Sequence, residues 1–287
     1  MTARTIDQWQ AWVGREEIRH DAVEPAAVRR WHATLDRVGP ADGCVPQAYH
    51  WCLFQPDALT SKLGADGHPV RDGGENSFLP PFPQPRRMWA SSKIKFLSPL
   101  RLGQPVRRRS LIASITEKNG SSGSLVFVEI ALEILGDGEV AVRETQSIVY
   151  REPVTARPAV SPTAVGQAFD ASEWDAHRLL VPSEALLFRF SALTFNSHRI
   201  HYDRPYACEV EGYRGLVVHG PLTATLLLDL ARQHFGFNAL RSFECRAVSA
   251  AICGEDLNLA LRESGGRVQF IAQARDGRQI MVANGAL

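Results

Sequence analysis

The segment PLTATLLLDLARQHF, residues 221–235, carries the strongest pattern in the chain. At 3.6 residues per turn its leucines and alanines cover one broad face and part of the opposite one. A helix that is apolar almost all round is a buried helix, and we expect the strand-rich segments that follow to wrap around it. The segment therefore predicts one buried helix at the centre of a sheet-based domain.

The start of this helix is chemically distinctive. Pro221 suits the first helical position because its missing N–H would have no partner there, and Gly220 suits the position before it. The free backbone donors at this end then belong to Gly220 and Leu222. A buried helix N-terminus with free donors can stabilise a negative charge that develops during a reaction.

The first half of the chain has its own helix and strands. Residues 24–36, EPAAVRRWHATLD, carry an apolar stripe typical of an amphipathic helix. Residues 64–87 are rich in Gly and Pro and predict an ordered surface loop. From Lys93 to Arg151, β-branched runs with partial alternation predict about four strands. The turn signals between them are LGQP (102–105), KNGSSG (118–123) and GDGE (136–139).

The second half repeats this layout without repeating its residues. Another strand block runs from Arg241 to Ala283, with a hairpin turn at Asp276-Gly277. Between the halves, residues 153–172 are rich in Pro, Ala and Ser and are typical of a linker. We therefore predict an α+β protein with a first domain over 1–152, a linker over 153–173 and a second domain over 174–287.

Composition excludes several classes of protein. The 287 residues are enough for two domains, and 32 Lys+Arg against 31 Asp+Glu give a net charge of +1, which argues against a nucleic-acid binder. No two of the five cysteines have CxxC spacing, so no zinc or redox motif is indicated. No apolar run reaches the roughly 18 residues of a membrane span, and the N-terminus lacks the apolar stretch of a signal peptide. We expect a reduced, soluble, cytoplasmic protein.

The segment upstream of the buried helix can carry chemistry. FSALTFNSHRIHYDRPYA (190–207) places Asn196, His198, His201 and Asp203 within eight residues. The i, i+5 spacing can bring Asn196 and His201 to a common point, where His201 could transfer protons and Asn196 could orient water or substrate. The alternatives stay open: His198 as a structural side chain, Asp203 as a brace of the loop, Asn196 as a turn residue bonded to its own backbone, and His219 as a packed or a pocket-lining residue.

This segment resembles the hydratase signature of MaoC-like hotdog proteins. HRIHYDRPYA (198–207) followed by YRGLVVHGPLTATLLLDL (213–230) carries the resemblance. The closer similarity is to single-chain double-hotdog enzymes, namely itaconyl-, mesaconyl- and 3-methylfumaryl-CoA hydratases and the mitochondrial type 2 hydroxyacyl-thioester dehydratase. The first half agrees through GREEIRHD (14–21), HATLD (32–36), FLPPFPQPRRMW (78–89), FLSPLRLGQPV (96–106) and TQSIVYRE (145–152).

The resemblance implies a double hotdog, two curved antiparallel sheets each wrapped round a long helix, with chemistry in the second half and a degenerate, pocket-shaping first half. It implies hydration or dehydration of an enoyl or 3-hydroxyacyl thioester of CoA or acyl carrier protein in fatty acid metabolism, without metal or redox cofactor. The catalytic His falls on His201 and the oxyanion donor on the Gly220 N–H. Its partner, an Asp in most MaoC-like hydratases, falls on Asn196, so a two-base mechanism is in doubt. A single-base mechanism remains.

The substrate arm and its anionic groups need cationic partners. Arg86 and Arg87 are candidates for the phosphates of CoA or a carrier-protein arm, and Arg199 and Arg214 for a second substrate carboxylate such as itaconyl and mesaconyl groups carry. His219 is a further pocket candidate. Other basic candidates for the phosphates are Arg107, Arg108, Arg109 and Arg204. We expect no nucleic-acid or membrane partner, and a monomer or homodimer.

Two other functions fit a hotdog. A thioesterase uses a carboxylate near the helix to activate water, and Asp229 is the one carboxylate well inside 221–235, about two turns from Gly220. A non-catalytic acyl-binding module would account for Asn196 in place of Asp. Turnover of a His201→Ala variant separates this last possibility from an enzyme.

Overall fold

The computed structural model describes residues 8–39, 43–71, 73–74, 77–120, 123–152 and 168–287. Helices α1, α2 and α3 span Pro25–Thr34, Glu184–Thr194 and Gly220–Phe235. The strands of the first half are β1 Glu16–Ala22, β2 Arg86–Phe96, β3 Pro105–Gly120, β4 Gly123–Gly136 and β5 Glu139–Arg151. Those of the second half are β6 Ala176–Leu180, β7 Ser242–Ala247, β8 Leu257–Ser264, β9 Arg267–Ala274 and β10 Gln279–Ala286.

All ten of these strands form one antiparallel sheet. Its order is β1-β3-β4-β5-β2-β7-β10-β9-β8-β6, so each half of the chain supplies one side of the sheet. The two sides join where β2 pairs with β7, from Ser91 opposite Arg246 to Lys95 opposite Ser242. The predicted pair of sheets is thus one continuous sheet. The two-domain division stays a prediction, because most of the linker, residues 153–167, lies outside the described residues.

Helix α3 is the buried helix that the sequence predicts. Every residue from Leu222 to Ala231 is buried, and the helix packs against β6, β8 and β9. It begins at Gly220 and its last residue is Phe235. The next residue, Gly236, has a φ of 102°, which is available to glycine and strained for other residues. The apolar circumference of the segment therefore follows from its central position.

The first half departs from the expectation of a long central helix. Its longest described helix is α1, with ten residues, and α1 packs against α2 of the second half. The chain then runs through a short 3-10 turn, Tyr49–Cys52, and the loop that leads to β2. The Gly and Pro residues of this loop cannot sustain a helix. Consequently the loop is free to contact the second half.

The predicted strands are confirmed, with β2 starting seven residues before Lys93. Asp137 and Gly138 both have positive φ in the β4–β5 turn, and Gly277 has φ 82° in the β9–β10 turn. Helix α2 lacks a counterpart in the sequence-based prediction. It begins after Ser183, whose side chain accepts a hydrogen bond from the Leu186 N–H. Among the described helices, none combines the length and the apolar character that crossing a bilayer requires.

Candidate active site

His201 is the centre of the site. It ends the 3-10 turn Arg199–His201, is 7% exposed, and its Nδ1 lies 2.7 Å from the Val217 carbonyl oxygen. A carbonyl only accepts, so Nδ1 carries the proton and donates it, and Nε2 is left with a lone pair. Burial lowers the pKa of His201 to about 3, with further lowering from the neighbouring His198 and His68. The ring is therefore neutral near pH 7 and able to accept a proton.

His219 forms one wall beside His201. Its ring stacks on the His201 ring with centroids 3.6 Å apart and an interplanar angle of 19°. His219 is 2% exposed, its Nε2 lies 2.8 Å from the Ser191 hydroxyl, and burial holds its pKa well below the usual range. The stacked neutral ring fixes the plane of His201, so His219 is a packed residue that also borders the site.

Asn196 shows the local bond that the turn interpretation predicts. Its Oδ1 accepts a hydrogen bond from the His198 backbone N–H at 3.0 Å. The preceding residue, Phe195, has φ 48° and ends α2, which turns the chain toward His201. Within the described part of the chain, the Asn196 Nδ2 group has no hydrogen-bond partner. Asn196 therefore shapes the loop with its oxygen and keeps its amide N–H groups for another ligand.

Gly220 opens helix α3 at a place where a side chain cannot fit. Its N–H has no partner inside the helix, because the first four N–H groups of a helix never do. A Cβ at Gly220 would lie 2.8 Å from Cε3 of Trp89. Trp89 is half-buried and its ring contacts Trp51 edge-on, with centroids 5.9 Å apart. Glycine thus lets the Trp89 ring form a wall directly at the helix start.

The stacked rings of His219 and His201 begin a row of four imidazoles, which continues through His198 to His68 in a loop of the first half. His198 lies edge-on to His201 with centroids 5.4 Å apart, and His68 lies 4.2 Å from His198 on the other side. The Asp66 carboxylate accepts from His68 Nδ1 at 2.9 Å and from the His68 backbone N–H. Burial lowers the pKa of His198 to about 3. His198 is thus a buried neutral ring between His201 and the Asp66–His68 pair.

Asp66, His68 and His198 are also the one group of described residues with donor atoms close enough to share a metal ion, all within 4.8 Å of one another. The positive charge of Arg87 acts on both His68 and His198 and lowers their pKa values. A cation in the same place would be repelled by this guanidinium. The surroundings of the group favour an anion over a metal, and the expectation of a reaction without metal or redox cofactor remains a prediction.

The predicted arginines fall into two groups. Three of them have carboxylate partners. Arg199 donates to Asp203, which also accepts from the Tyr206 N–H and so braces the loop as expected. Arg214 pairs with Glu255, and Arg86 pairs with the buried Glu211. Arg87 differs. It is half-buried on β2, two residues before Trp89, and its guanidinium makes no hydrogen bond or ion pair with any residue that the structure describes. Among the predicted arginines, the cation available to a substrate beside the histidines is therefore Arg87.

The other basic candidates lie away from the histidine cluster. Arg107, Arg108 and Arg109 are on β3 opposite β1, where Arg108 contacts Glu17 and Arg109 contacts Glu16. Arg204 is exposed. A groove of about 910 Å³ between α1, α2 and residues 49–57 contains none of the predicted arginines and none of the clustered histidines. The candidate active site is therefore identified by its clustered histidines, and it does not coincide with this groove.

Asp229 cannot serve as the water-activating carboxylate of a thioesterase. It is 2% exposed and its carboxylate is shared by Arg37, Arg178 and Arg232, each within 3.1 Å. Both carboxylate oxygens are occupied by guanidinium donors and by the Gln233 amide, so no oxygen is left to contact a water beside a substrate. Asp229 instead ties α3 to β6 and to the segment after α1.

Three residues of this site escape the sequence analysis. Asp66 and His68 lie in the loop 64–87, which shows no periodicity, and Ser191 lies in the unpredicted helix α2. The loop was expected on the surface. It instead reaches the second half, because Gly67 lies directly against Ser197. A pair of polar residues spaced i, i+2 beside a glycine was the only sequence signal for Asp66 and His68.

Comparison with known proteins shows the family of the chain. The family profile described as Hydroxyacyl-thioester dehydratase type 2 matches residues 48–253. The chain is 44% identical over 278 residues to the Mesaconyl-C(4)-CoA hydratase of Chloroflexus aurantiacus, covering 96% of each chain. It is 26% identical over 246 residues to the mitochondrial Hydroxyacyl-thioester dehydratase type 2 of Schizosaccharomyces pombe, covering 76% of this chain and 77% of that protein.

Solved structures show the same fold. A MaoC-like dehydratase superposes with a TM-score of 0.74 at 14% identity, covering 97% of this chain and 99% of the other. A Mycobacterium tuberculosis protein described as having a double hotdog fold superposes with a TM-score of 0.57 at 13% identity, covering 96% of each chain. These similarities confirm the predicted α+β double-hotdog fold.

Proposed function

The chain belongs to the hydroxyacyl-thioester dehydratase type 2 family and is a hydro-lyase of acyl thioesters, and from this premise we propose that it adds water to an unsaturated dicarboxylic acyl-CoA of the mesaconyl type. The similarity to the Mesaconyl-C(4)-CoA hydratase over nearly the whole chain supports this substrate class. The observation that carries it is Arg87. A half-buried guanidinium without a partner beside the histidines is suited to a free carboxylate on the substrate.

In the proposed mechanism, His201 Nε2 removes a proton from water while the water oxygen bonds to the β-carbon of the enoyl group. The electron pair of the double bond moves toward the thioester carbonyl, whose oxygen accepts from the Gly220 N–H. His201 then returns the proton to the α-carbon. The steps balance without a second base, and they run in reverse for dehydration.

Asn196 and His219 hold the geometry of this step. The free Nδ2 of Asn196 donates to the attacking water, since Oδ1 is already engaged by the His198 N–H. The stacked His219 ring keeps Nε2 of His201 pointed at that water. One oxyanion donor of this kind contributes about 3–4 kcal/mol, and a positioned base about 100- to 10,000-fold in rate.

We propose coenzyme A as the carrier, as in the name of the 44% identical relative. We expect a single chain to suffice, because the proposal draws its base and oxyanion donor, His201 and Gly220, and its carboxylate partner, Arg87, from the two halves of one chain. No nucleic acid or membrane takes part in this proposal.

Replacing Arg87 tests the substrate class. In an Arg87→Gln variant, kcat/KM for mesaconyl-C4-CoA should fall about 10- to 150-fold, the effect of losing charged hydrogen bonds of about 1.5–3 kcal/mol. Crotonyl-CoA, which has no second carboxylate, should change less than about threefold. The measurement is the loss of enoyl-thioester absorbance with both substrates.

Arg107→Gln is the matched control, since Arg107 is an exposed arginine on β3 outside the cluster. This variant should have the wild-type kcat/KM for both substrates. Equal losses on mesaconyl-C4-CoA and crotonyl-CoA in Arg87→Gln would remove the argument for a dicarboxylic substrate.

A further inference from the structure

The hydratase motif of this chain lacks the carboxylate that usually accompanies its histidine, because Asn196 occupies that place. His201 becomes a cation when it takes a proton from water. Its neighbours His198, His219 and His68 are neutral rings, and Arg87 is already positive. A buried imidazolium in such surroundings needs a negative charge nearby.

Asp66 supplies a negative charge at the His68 end of this row of rings. Its charge raises the pKa of both His68 and His198, against the lowering by burial and by Arg87. Although its own burial acts in the opposite direction, the hydrogen bonds that the His68 ring and backbone donate lower the pKa of Asp66 to about 2. Asp66 is thus ionised at all pH values at which the enzyme is expected to work.

The loop that carries Asp66 is fastened to the loop that carries the motif. Arg199 N–H donates to the Asp66 carbonyl and the Arg199 guanidinium to the Ala65 carbonyl, both at 2.9 Å. The Ser197 hydroxyl donates to the Gly67 carbonyl. Gly67 has φ +88°, and a Cβ there would lie 1.9 Å from the Ser197 carbonyl oxygen. These contacts join the Asp66–His68 loop to Ser197 and Arg199, the residues on either side of His198.

We propose that Asp66, acting through His68 and His198, supplies from the first half of the chain the negative charge that Asn196 cannot supply from the motif. Asp66 is a positioning residue: it stabilises the proton on His201 while the C–O bond forms and takes no proton itself. The charged or titratable groups around the His68 and His198 rings are Asp66, Arg71 and Arg87 from the first half and His219 from the start of α3. The inference rests on the proposed function, since it concerns the proton taken from water.

The test compares Asp66→Asn with a double variant that moves the carboxylate. Asp66→Asn should lower kcat by about 10- to 100-fold, with KM nearly unchanged. This is the size expected for losing one charge interaction in a partly buried site. Adding Asn196→Asp to that variant should recover at least about tenfold in kcat. A purely structural role for Asp66 predicts no recovery, because Asn196→Asp restores none of the bonds of Asp66.

Asp137→Asn is the matched control. Asp137 also lies in a turn of the first half and accepts from Gln104, but it does not act on the histidines. It should keep wild-type kcat. If Asp66→Asn does not fold, His68→Gln makes the same test, since it removes the ring that links Asp66 to His198. Wild-type kcat in Asp66→Asn or His68→Gln, or no recovery in the double variant, would overturn the inference.

A second readout separates this inference from the proposed function. Titration of the histidine rings by NMR needs no turnover, and Asp66→Asn should lower the pKa of His68 and of His198. Unchanged ring titrations contradict the inference even if the wild type is an active hydratase. An inactive wild type with the expected shifts would contradict the proposed function and leave the charge pairing in place.

Discussion

His201→Ala is expected to lower kcat at least about 100-fold while KM stays nearly the same. The variant removes an imidazole whose tautomer is set by the Val217 backbone carbonyl, so that Nε2 is ready to accept a proton. His219 cannot replace it, because its Nε2 is engaged by Ser191 and its Nδ1 is enclosed. The measurement is steady-state hydration kinetics, with thermal unfolding as the check that the variant folds.

The same experiment has a pH readout. Burial lowers the pKa of His201 to about 3, so the base is neutral above that pH and kcat/KM should stay level between about pH 5 and pH 8. A free histidine would lose activity below about pH 6.5. His234→Ala, an exposed histidine at the far end of α3, is the control and should leave kcat unchanged. A His201→Ala variant within about threefold of wild type would favour a non-catalytic acyl-binding module.

Gly220→Ala is the second large effect. The added Cβ would lie 2.8 Å from Cε3 of Trp89, and the Trp89 ring cannot retreat easily because Trp51 packs against it. Trp51 is itself held by hydrogen bonds to the buried Glu144. The start of α3 must therefore shift, and a displacement of about 1 Å in a group that binds the transition state costs about 100-fold in rate. We expect a loss of that size in kcat.

The control for Gly220→Ala is a second substitution that makes room. Trp89→Leu in the Gly220→Ala background removes the ring that the Cβ meets and should restore part of the lost kcat. If Gly220→Ala has wild-type kcat, the N–H at the helix start is not the oxyanion donor. If the double variant recovers nothing, the loss has another origin than the contact with Trp89.

The sequence predicts the elements whose pattern is local. Residues 221–235 are apolar on nearly every side, and a buried helix is the one structure that accommodates this. Strands β2 to β5 and the Asp276-Gly277 turn follow from alternation and turn residues in the same way, whereas β1 (Glu16–Ala22) was not predicted. His201 lies beside the start of α3, where its ring stacks on that of His219, the residue before Gly220; the joint role of His201, Asn196 and Gly220 stays a prediction.

Long-range contacts explain what the sequence could not predict. Asp66 and His68 reach His198 only because Gly67 packs on Ser197, 130 positions later, and no periodicity encodes such a contact. The ion pairs of the arginines could not be predicted from the sequence either. Arg199 and Arg214 lie closest to the motif in sequence, but their guanidinium groups form ion pairs with Asp203 and Glu255. Arg87 lies on the same side of β2 as Trp89, and its guanidinium has no partner among the residues that the structure describes. Which cation remains available depends on the tertiary structure.

The measurement that tests the central claim most directly is a hydration assay on the wild-type protein with mesaconyl-C4-CoA. It follows the absorbance of the conjugated thioester, with a thiol reagent in a parallel sample and crotonyl-CoA, itaconyl-CoA and a long-chain enoyl-CoA for comparison. We predict loss of absorbance without release of thiol, fastest with mesaconyl-C4-CoA. Release of thiol in step with the absorbance change, or no change with any of these thioesters, would contradict the account.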